Sequence, residues 1–124
     1  MMQGAFLRIG AAFGLIGVAA GAFGAHALRG RLTPADLAIF ETAVRYQMIH
    51  ALALLAVGIA AARWPERGWT LAAWAFTAGV LVFSGTLYLL ALTGIGWLGA
   101  ITPIGGLCLM AGWALVIRAA GSAR

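Results

Sequence analysis

The chain has 124 residues, of which 64% are hydrophobic and only 9% charged, and its mean hydropathy is +1.02. So few polar residues cannot cover a soluble core of this size, and the composition therefore places the chain in a lipid bilayer. The formal net charge of +5 comes from eight basic residues. All are arginines near the ends of apolar runs, where lipid headgroups are the expected partners and nucleic acid is not.

Four long apolar stretches predict four membrane-spanning helices, because a spanning helix needs about 20 mostly apolar residues. We place these helices at about residues 6–28, 34–62, 69–92 and 103–118. The predicted fold class is an all-α membrane protein, a four-transmembrane-helix bundle that forms one domain over residues 1–124.

Small residues recur along the first helix at spacings of four and three, at Gly10, Gly14, Gly17, Gly21 and Gly24. They share one narrow stripe of the helix. Membrane helices associate through close backbone approach, so we predict that this stripe packs against another helix. Gly105 and Gly112 of the fourth helix are predicted to pack in the same way, with the single cysteine, Cys108, as a small residue between them.

The N-terminal segment admits a second interpretation. Arg8, the apolar stretch and the sequence Ala25-His26-Ala27 resemble a secretory signal with a small-residue cleavage site, which would leave three helices. A signal core usually has about 7 to 15 strongly apolar residues, whereas this run is longer and rich in glycine. We therefore expect the first helix to remain in the protein.

The second helix has a strong start signal. Thr33 is suited to the N-cap, Pro34 to the first helical position and Asp36 to a capping-box-like carboxylate. A helix from Pro34 to Ala62 would be about 43 Å long, which exceeds the membrane core of about 30 Å. Its first part is therefore predicted to be an interfacial amphipathic extension. The apolar side of this extension consists of Leu37, Phe40, Val44 and Met48.

Charged residues predict a surface ion pair and an orientation. Glu41 and Arg45 lie four residues apart on another side of the second helix and are predicted to pair at the interface. With four spans, five arginines fall on one side of the membrane and three on the other, which predicts cytoplasmic N- and C-termini. The two groups are Arg8, Arg63, Arg67, Arg118 and Arg124, and Arg29, Arg31 and Arg45.

The third helix carries hydroxyl groups along one face, at Thr70, Thr77, Ser84 and Tyr88. Hydroxyls in membrane helices usually bond their own backbone or a neighbouring helix, so we interpret this stripe as structural. Thr102-Pro103 matches an N-cap and first helical position, and predicts that the fourth helix begins there.

Polar side chains near the membrane interior form the one candidate site, which consists of His26, Tyr46, Gln47 and His50. Tyr46, Gln47 and His50 share a face of the second helix, and His26 is predicted to meet them across the tight joint after the first helix. A histidine pair could relay protons or hold a metal. Because no carboxylate lies deep enough to complete either site, we favour a hydrogen-bonded cluster and expect no metal or cofactor.

No catalytic arrangement is visible in the sequence. Glu66 lies in a turn and Asp36 at a helix start, so paired acids are absent. Ser84 has no histidine at a helical spacing to act as its base. We therefore do not expect an enzyme.

Two segments carry a resemblance to a known family: GAFGAHAL at residues 21–28 and FETAVRYQMIHALAL at residues 40–54. They resemble the YgdD-like family of small bacterial inner-membrane proteins, also described as domain of unknown function 423. The resemblance implies an intact first helix, four spans and an inner (plasma) membrane location. That family has no established activity or catalytic residues to carry over.

These observations predict a non-enzymatic membrane protein that acts by helix assembly among membrane lipids. It would associate with itself as a homo-oligomer or serve as an accessory subunit of a larger membrane complex. The alternative is a dimeric transporter or channel for a small solute or protons. The chain is similar in size to small multidrug exporters, but those have an acidic residue in the first helix, and this helix has none.

Overall fold

The computed structural model describes residues 2–123, and in this part of the chain it contains four α-helices and no strand. The helices are α1 (Met2–His26), α2 (Pro34–Arg63), α3 (Arg67–Thr93) and α4 (Leu98–Ser122). Each is long and apolar enough to cross a membrane. The predicted fold class is therefore confirmed.

Each helix packs mainly against its neighbour in sequence. α1 packs on α2, α2 on α3 and α3 on α4, whereas α1 touches α3 only slightly. The inner pair, α2 and α3, is thus flanked by α1 and α4. Phe6, Leu54 and Phe76 are among the largest side chains that are fully buried between the helices.

The N-terminus of α2 has the predicted cap. The backbone N–H of Asp36 donates to the Thr33 hydroxyl at 3.1 Å, and Pro34 is the first helical residue. This cap satisfies one N–H group that the helix itself leaves unpaired.

The apolar side of the α2 extension contacts α1, which differs from the sequence prediction. Phe40, Val44 and Met48 lie directly over Gly24, Gly21 and Gly17 of α1. The apolar stripe that resembled an interfacial helix is therefore a packing surface for α1. An interfacial helix and a helix packed on a neighbour have the same sequence pattern, because both need apolar residues at helical spacing on one side.

The predicted start of α4 at residue 103 is wrong, because the helix begins at Leu98. Thr102 does not cap it but donates its hydroxyl to the Leu98 carbonyl at 3.2 Å. One turn forms ahead of Pro103 because three N–H groups find acceptors three residues earlier. These bonds join Leu98 to Ile95, Gly99 to Gly96 and Ala100 to Trp97. The other three helices begin and end within four residues of their predicted bounds.

Gly94 makes the short connection between α3 and α4 possible. Its φ angle is 71°, in the left-handed region that residues with a Cβ rarely adopt. Its N–H donates to the Leu90 carbonyl at 2.8 Å, which closes the last turn of α3. The chain can therefore reverse direction within residues 94–97.

Candidate functional site

Gln47 joins three helices at one level of the bundle. Its side chain on α2 is only 3% exposed. The amide nitrogen Nε2 donates to the Phe13 carbonyl of α1 at 2.8 Å, and Oε1 accepts a hydrogen bond from the Tyr88 hydroxyl of α3 at 2.7 Å. Because a membrane interior offers no water to replace these partners, the two bonds hold α1, α2 and α3 in register.

Gly17 leaves room for Met48 of α2 against α1. A Cβ at position 17 would lie 3.5 Å from Nε2 of Gln47 and would collide with the Met48 sulfur. The contact with Nε2 would be an ordinary one, so the missing side chain mainly leaves room for Met48. Gly17 therefore serves close packing of α1 on α2.

His50 is held by a partner at each ring nitrogen. Nδ1 lies 2.7 Å from the Tyr46 carbonyl oxygen, and Nε2 lies 3.0 Å from the indole nitrogen of Trp113 on α4. A carbonyl can only accept and an indole N–H can only donate. His50 is therefore the neutral tautomer with its proton on Nδ1, and Nε2 is already used as an acceptor.

Aromatic rings enclose His50 on the inner side of α2. Its ring centroid lies 5.4 Å from that of Phe76 and 5.8 Å from that of Trp113. The Tyr46 ring stacks at 6.1 Å, although 39% of Tyr46 remains exposed. Tyr46 contributes to the network through its backbone carbonyl and this stacking contact, and its hydroxyl has no described role there.

Hydroxyl groups make further polar contacts between helices. Ser84 of α3 donates to the Ala43 carbonyl of α2 at 2.8 Å, and Thr86 of α3 bonds the Thr102 hydroxyl of α4 at 2.7 Å. Thr77 bonds the Ala73 carbonyl of its own helix. The structural interpretation of the hydroxyl face of α3 is confirmed for Thr77, Ser84 and Tyr88.

His26 does not belong to the cluster, so this part of the sequence prediction is wrong. Its side chain is exposed at the end of α1, whereas His50 is buried near the middle of α2. The antiparallel contacts of α1 and α2 place His50 beside about residue 14. His26 is then about 18 Å further along α1 at 1.5 Å per residue. The prediction failed because it placed His50 near the joint between the helices.

Of the five glycines of α1 predicted to pack on another helix, four contact α2 and one, Gly14, does not. Gly10, Gly17 and Gly24 are buried against α2, and a Cβ at Gly21 would only reach ordinary contact with Val44. A Cβ at Gly14 would meet nothing within 4 Å, so Gly14 does not share the packing role expected of it. The reason is helical geometry: residues seven apart stay almost in line, whereas Gly14 projects about 40° to one side of Gly10.

The two glycines of α4 lie against α3. A Cβ at Gly105 would collide with the backbone of Phe83, and one at Gly112 would lie 2.5 Å from the Phe76 ring. Cys108 is partly buried between them and has a free thiol. The backbones of α3 and α4 thus approach each other closely at Gly105.

Replacing Gly17 by Leu should lower the free energy of unfolding in detergent by about 1–3 kcal/mol, as in other overpacked interiors. The new side chain would displace Met48 and break the bond between Gln47 and Phe13. Gly14→Leu is the matched control, because it adds the same side chain to α1 at a position with open space. Thermal unfolding of both variants checks this result, and equal losses would contradict the assignment of Gly17 to the interface.

The predicted ion pair between Glu41 and Arg45 is not formed. Both side chains are exposed, and no ion pair joins them within residues 2–123. An exposed pair gains little Coulomb energy and loses side-chain entropy, which explains why the spacing alone does not bring them together.

The described residues contain no group of three or more His, Cys, Asp or Glu side chains placed to hold a metal ion. Gln47, Ser84 and Tyr88 line one side of a cavity of about 180 Å³ between α1 and α3, and its other lining residues are apolar or glycine. Their polar atoms already have protein partners. The arrangement is therefore suited to holding helices together.

Trp113 is the network member that the sequence analysis missed. It lies 63 residues after His50, so no local spacing connects the two. One signal was present, since an indole N–H inside a membrane span needs an acceptor. The sequence contains few buried acceptors that could serve, and His50 is one of them.

Comparison with known proteins supports the resemblance seen in the sequence. A family model described as "Protein of unknown function (DUF423)" matches residues 20–106. The UPF0382 membrane protein SH2409 of Staphylococcus haemolyticus is 46% identical over 113 residues, covering 90% of this chain and 91% of that protein. The UPF0382 membrane protein YwdK of Bacillus subtilis is 42% identical over 116 residues, covering 93% and 94%. No solved structure matches the chain.

Proposed function

This chain belongs to the DUF423 family of membrane proteins, whose function is unknown, and we propose that it acts without catalysis, by helix assembly in the membrane. In this proposal α1 forms the contact with a second copy of the chain or with a larger membrane complex. The expected location is the bacterial inner membrane.

The observation that carries the proposal is that α1 has two small-residue faces and α2 covers only one. Gly10 and its heptad partners face α2. Ala5, Ala12 and Ala19 project about 180° to 220° from Gly10, and all three are exposed. Alanines seven apart allow the close backbone approach by which membrane helices associate, because they add little bulk between the helices.

The state of the buried polar groups also supports a non-enzymatic role. Gln47, His50 and Tyr88 are each engaged in hydrogen bonds to other parts of the chain. A relay or catalytic base needs a nitrogen or oxygen that is free to exchange a proton with a substrate. Nε2 of His50 is bonded to Trp113 instead, which argues against the transporter alternative as well.

Cysteine cross-linking in liposomes tests the proposed contact. With Cys108 replaced by Ser, Ala12→Cys or Ala19→Cys should give disulfide-linked dimers, because a twofold dimer places each residue beside its own copy. Val18→Cys is the matched control, since it is also exposed and at similar depth but projects about 100° away. Equal cross-linking at all three positions, or none at any, would contradict self-association through this face of α1.

The arginine distribution supports cytoplasmic termini. The fold brings Arg8, Arg63, Arg67 and Arg118 to the same end of the four helices, and Arg29 and Arg31 to the opposite end. Arg124 lies outside the described residues. A reporter fused after the last residue should therefore be active in the cytoplasm, as the positive-inside rule requires. Reporter activity on the outer side of the inner membrane would contradict this orientation.

A further inference from the structure

Two charged side chains of α2 lie within the membrane span but on the outside of the bundle. Glu41 and Arg45 are both exposed, and neither side chain has a partner within residues 2–123. They project about 180° and 140° away from His50, which faces Trp113 in the interior. This side of α2 therefore points away from the other helices.

The contacts of α2 give the depth of Arg45. Ser84 of α3 bonds the Ala43 carbonyl, so in this antiparallel pair Arg45 lies about 3 Å from the level of the α3 midpoint. Val44 lies over Gly21, which places Arg45 about 9 Å from the level of the α1 midpoint. Both distances are less than half the membrane core of about 30 Å. Arg45 is therefore an intramembrane residue.

Glu41 lies one helical turn nearer the joint between α1 and α2. The Arg45 side chain extends toward the same depth, because helix side chains tilt toward the N-terminus. α3 carries no charged residue after Arg67, and it continues for about 16 Å beyond the level of Arg45. Charged side chains in such apolar surroundings are costly, and they almost always face a protein interior and pair there. We therefore expect protein to cover this side of α2.

Apolar residues continue the same side of α2 along the helix. Exposed residues seven apart form one line, which consists of Ala38, Arg45, Leu52 and Ile59. Leu52 and Ile59 are 64% and 63% exposed. Residues at this spacing form the seam by which two helices pack side by side. The two charges thus belong to a continuous surface that a second helix can cover.

We propose that a second copy of the chain covers this surface, with Arg45 of each copy paired to Glu41 of the other. The partner is a second copy because the surface carries one charge of each sign and so complements itself under twofold symmetry. Copies with the same membrane orientation keep every residue at equal depth, and the tilt of Arg45 brings its guanidinium to the depth of Glu41. The inference rests on the proposed assembly and adds a contact to the one on α1.

Cysteine cross-linking of the full-length protein in liposomes tests this contact. With Cys108 replaced by Ser, Leu52→Cys should give disulfide-linked dimers on mild oxidation. Met110→Cys is the matched control and should not, since it is similarly exposed and at similar depth but lies on α4. Glu41→Arg or Arg45→Glu, added to Leu52→Cys, should lower the cross-linked fraction about tenfold, because like charges then meet.

Charge exchange between copies makes the test specific. A mixture of the Glu41→Arg and Arg45→Glu chains, one with a size tag, should cross-link between the two kinds of chain, because each arginine then meets a glutamate. A chain with both substitutions should recover cross-linking with itself for the same reason. This double variant keeps the test decisive if thermal unfolding in detergent shows that a single variant does not fold.

Two results would overturn the proposal. One is unchanged cross-linking at Leu52 in folded single variants. The other is no recovery in the mixture or in the double variant, which would indicate that Arg45 extends to lipid headgroups instead. Cross-linking at Ala12 or Ala19 of α1 without any at Leu52 would also refute the α2 contact, but it would leave the proposed assembly intact.

Discussion

Replacing Gly105 by Ala should lower the free energy of unfolding by about 3 kcal/mol, the upper part of the range for overpacked interiors. A Cβ at this position would lie 2.7 Å from Cα of Phe83 and would also collide with its backbone nitrogen. A side chain can rotate away from a new methyl group, but a helix backbone cannot. Insertion of the methyl group must therefore separate α3 from α4 along their whole contact.

Gly106→Ala provides the matched control for this prediction. A Cβ at Gly106 would lie 3.7 Å from the Phe83 ring, which is an ordinary contact. Both substitutions raise helix propensity equally, so the difference between them reports packing alone. Thermal unfolding in the same detergent gives the comparison. A Gly105→Ala variant as stable as Gly106→Ala would show that α3 and α4 are not closely packed at Phe83.

Replacing His50 by Ala should also lower the free energy of unfolding by about 3 kcal/mol, the cost of a cavity in a packed interior. The substitution removes the ring that packs against both Phe76 and Trp113 and leaves the Trp113 N–H without its acceptor. His50→Phe keeps a ring of similar size and loses only the hydrogen bonds. It should cost about 1 kcal/mol, because the interhelical hydrogen bond to Trp113 contributes about 0.6 kcal/mol and the bond to the Tyr46 carbonyl within α2 is lost as well.

The same pair of variants separates a structural role of His50 from a role in proton transfer. Liposomes containing the unmodified protein should show no proton flux above that of protein-free liposomes. Proton flux that both His50→Ala and His50→Phe abolish, with the fold preserved, would contradict the structural role. Such a result would support the transporter alternative, because phenylalanine restores packing but cannot carry a proton.

The parts of the fold that depend on local chemistry were predictable from the sequence. Hydropathy identified four spans because each helix must satisfy its own backbone in lipid. Thr33 and Pro34 located the start of α2 because their hydrogen-bonding and φ preferences act within one turn. Thr102-Pro103 carried the same signal but lies inside α4, because the backbone bonds of residues 95–100 form a turn before it.

The candidate site was only partly predictable because it depends on how the helices are aligned. Gln47 and His50 were identified as inward-facing residues by their helical face alone, and both are buried. Their partners Tyr88 and Trp113 lie on α3 and α4, and choosing them requires the depth of each residue in the bundle. The error on His26 has the same origin, since the depth of His50 was unknown and the prediction placed it near the joint after the first helix.

Helix assembly is the central claim, and copurification from the native membrane tests it most directly. A tagged chain should recover an untagged copy of itself, or another membrane subunit, in constant ratio. An exposed small-residue face on α1 supports this expectation. Ala12→Leu together with Ala19→Leu should reduce that recovery while thermal unfolding in detergent remains unchanged, because neither residue is buried in the fold. Recovery of the tagged chain alone, under conditions that preserve known membrane complexes, would contradict assembly as its function.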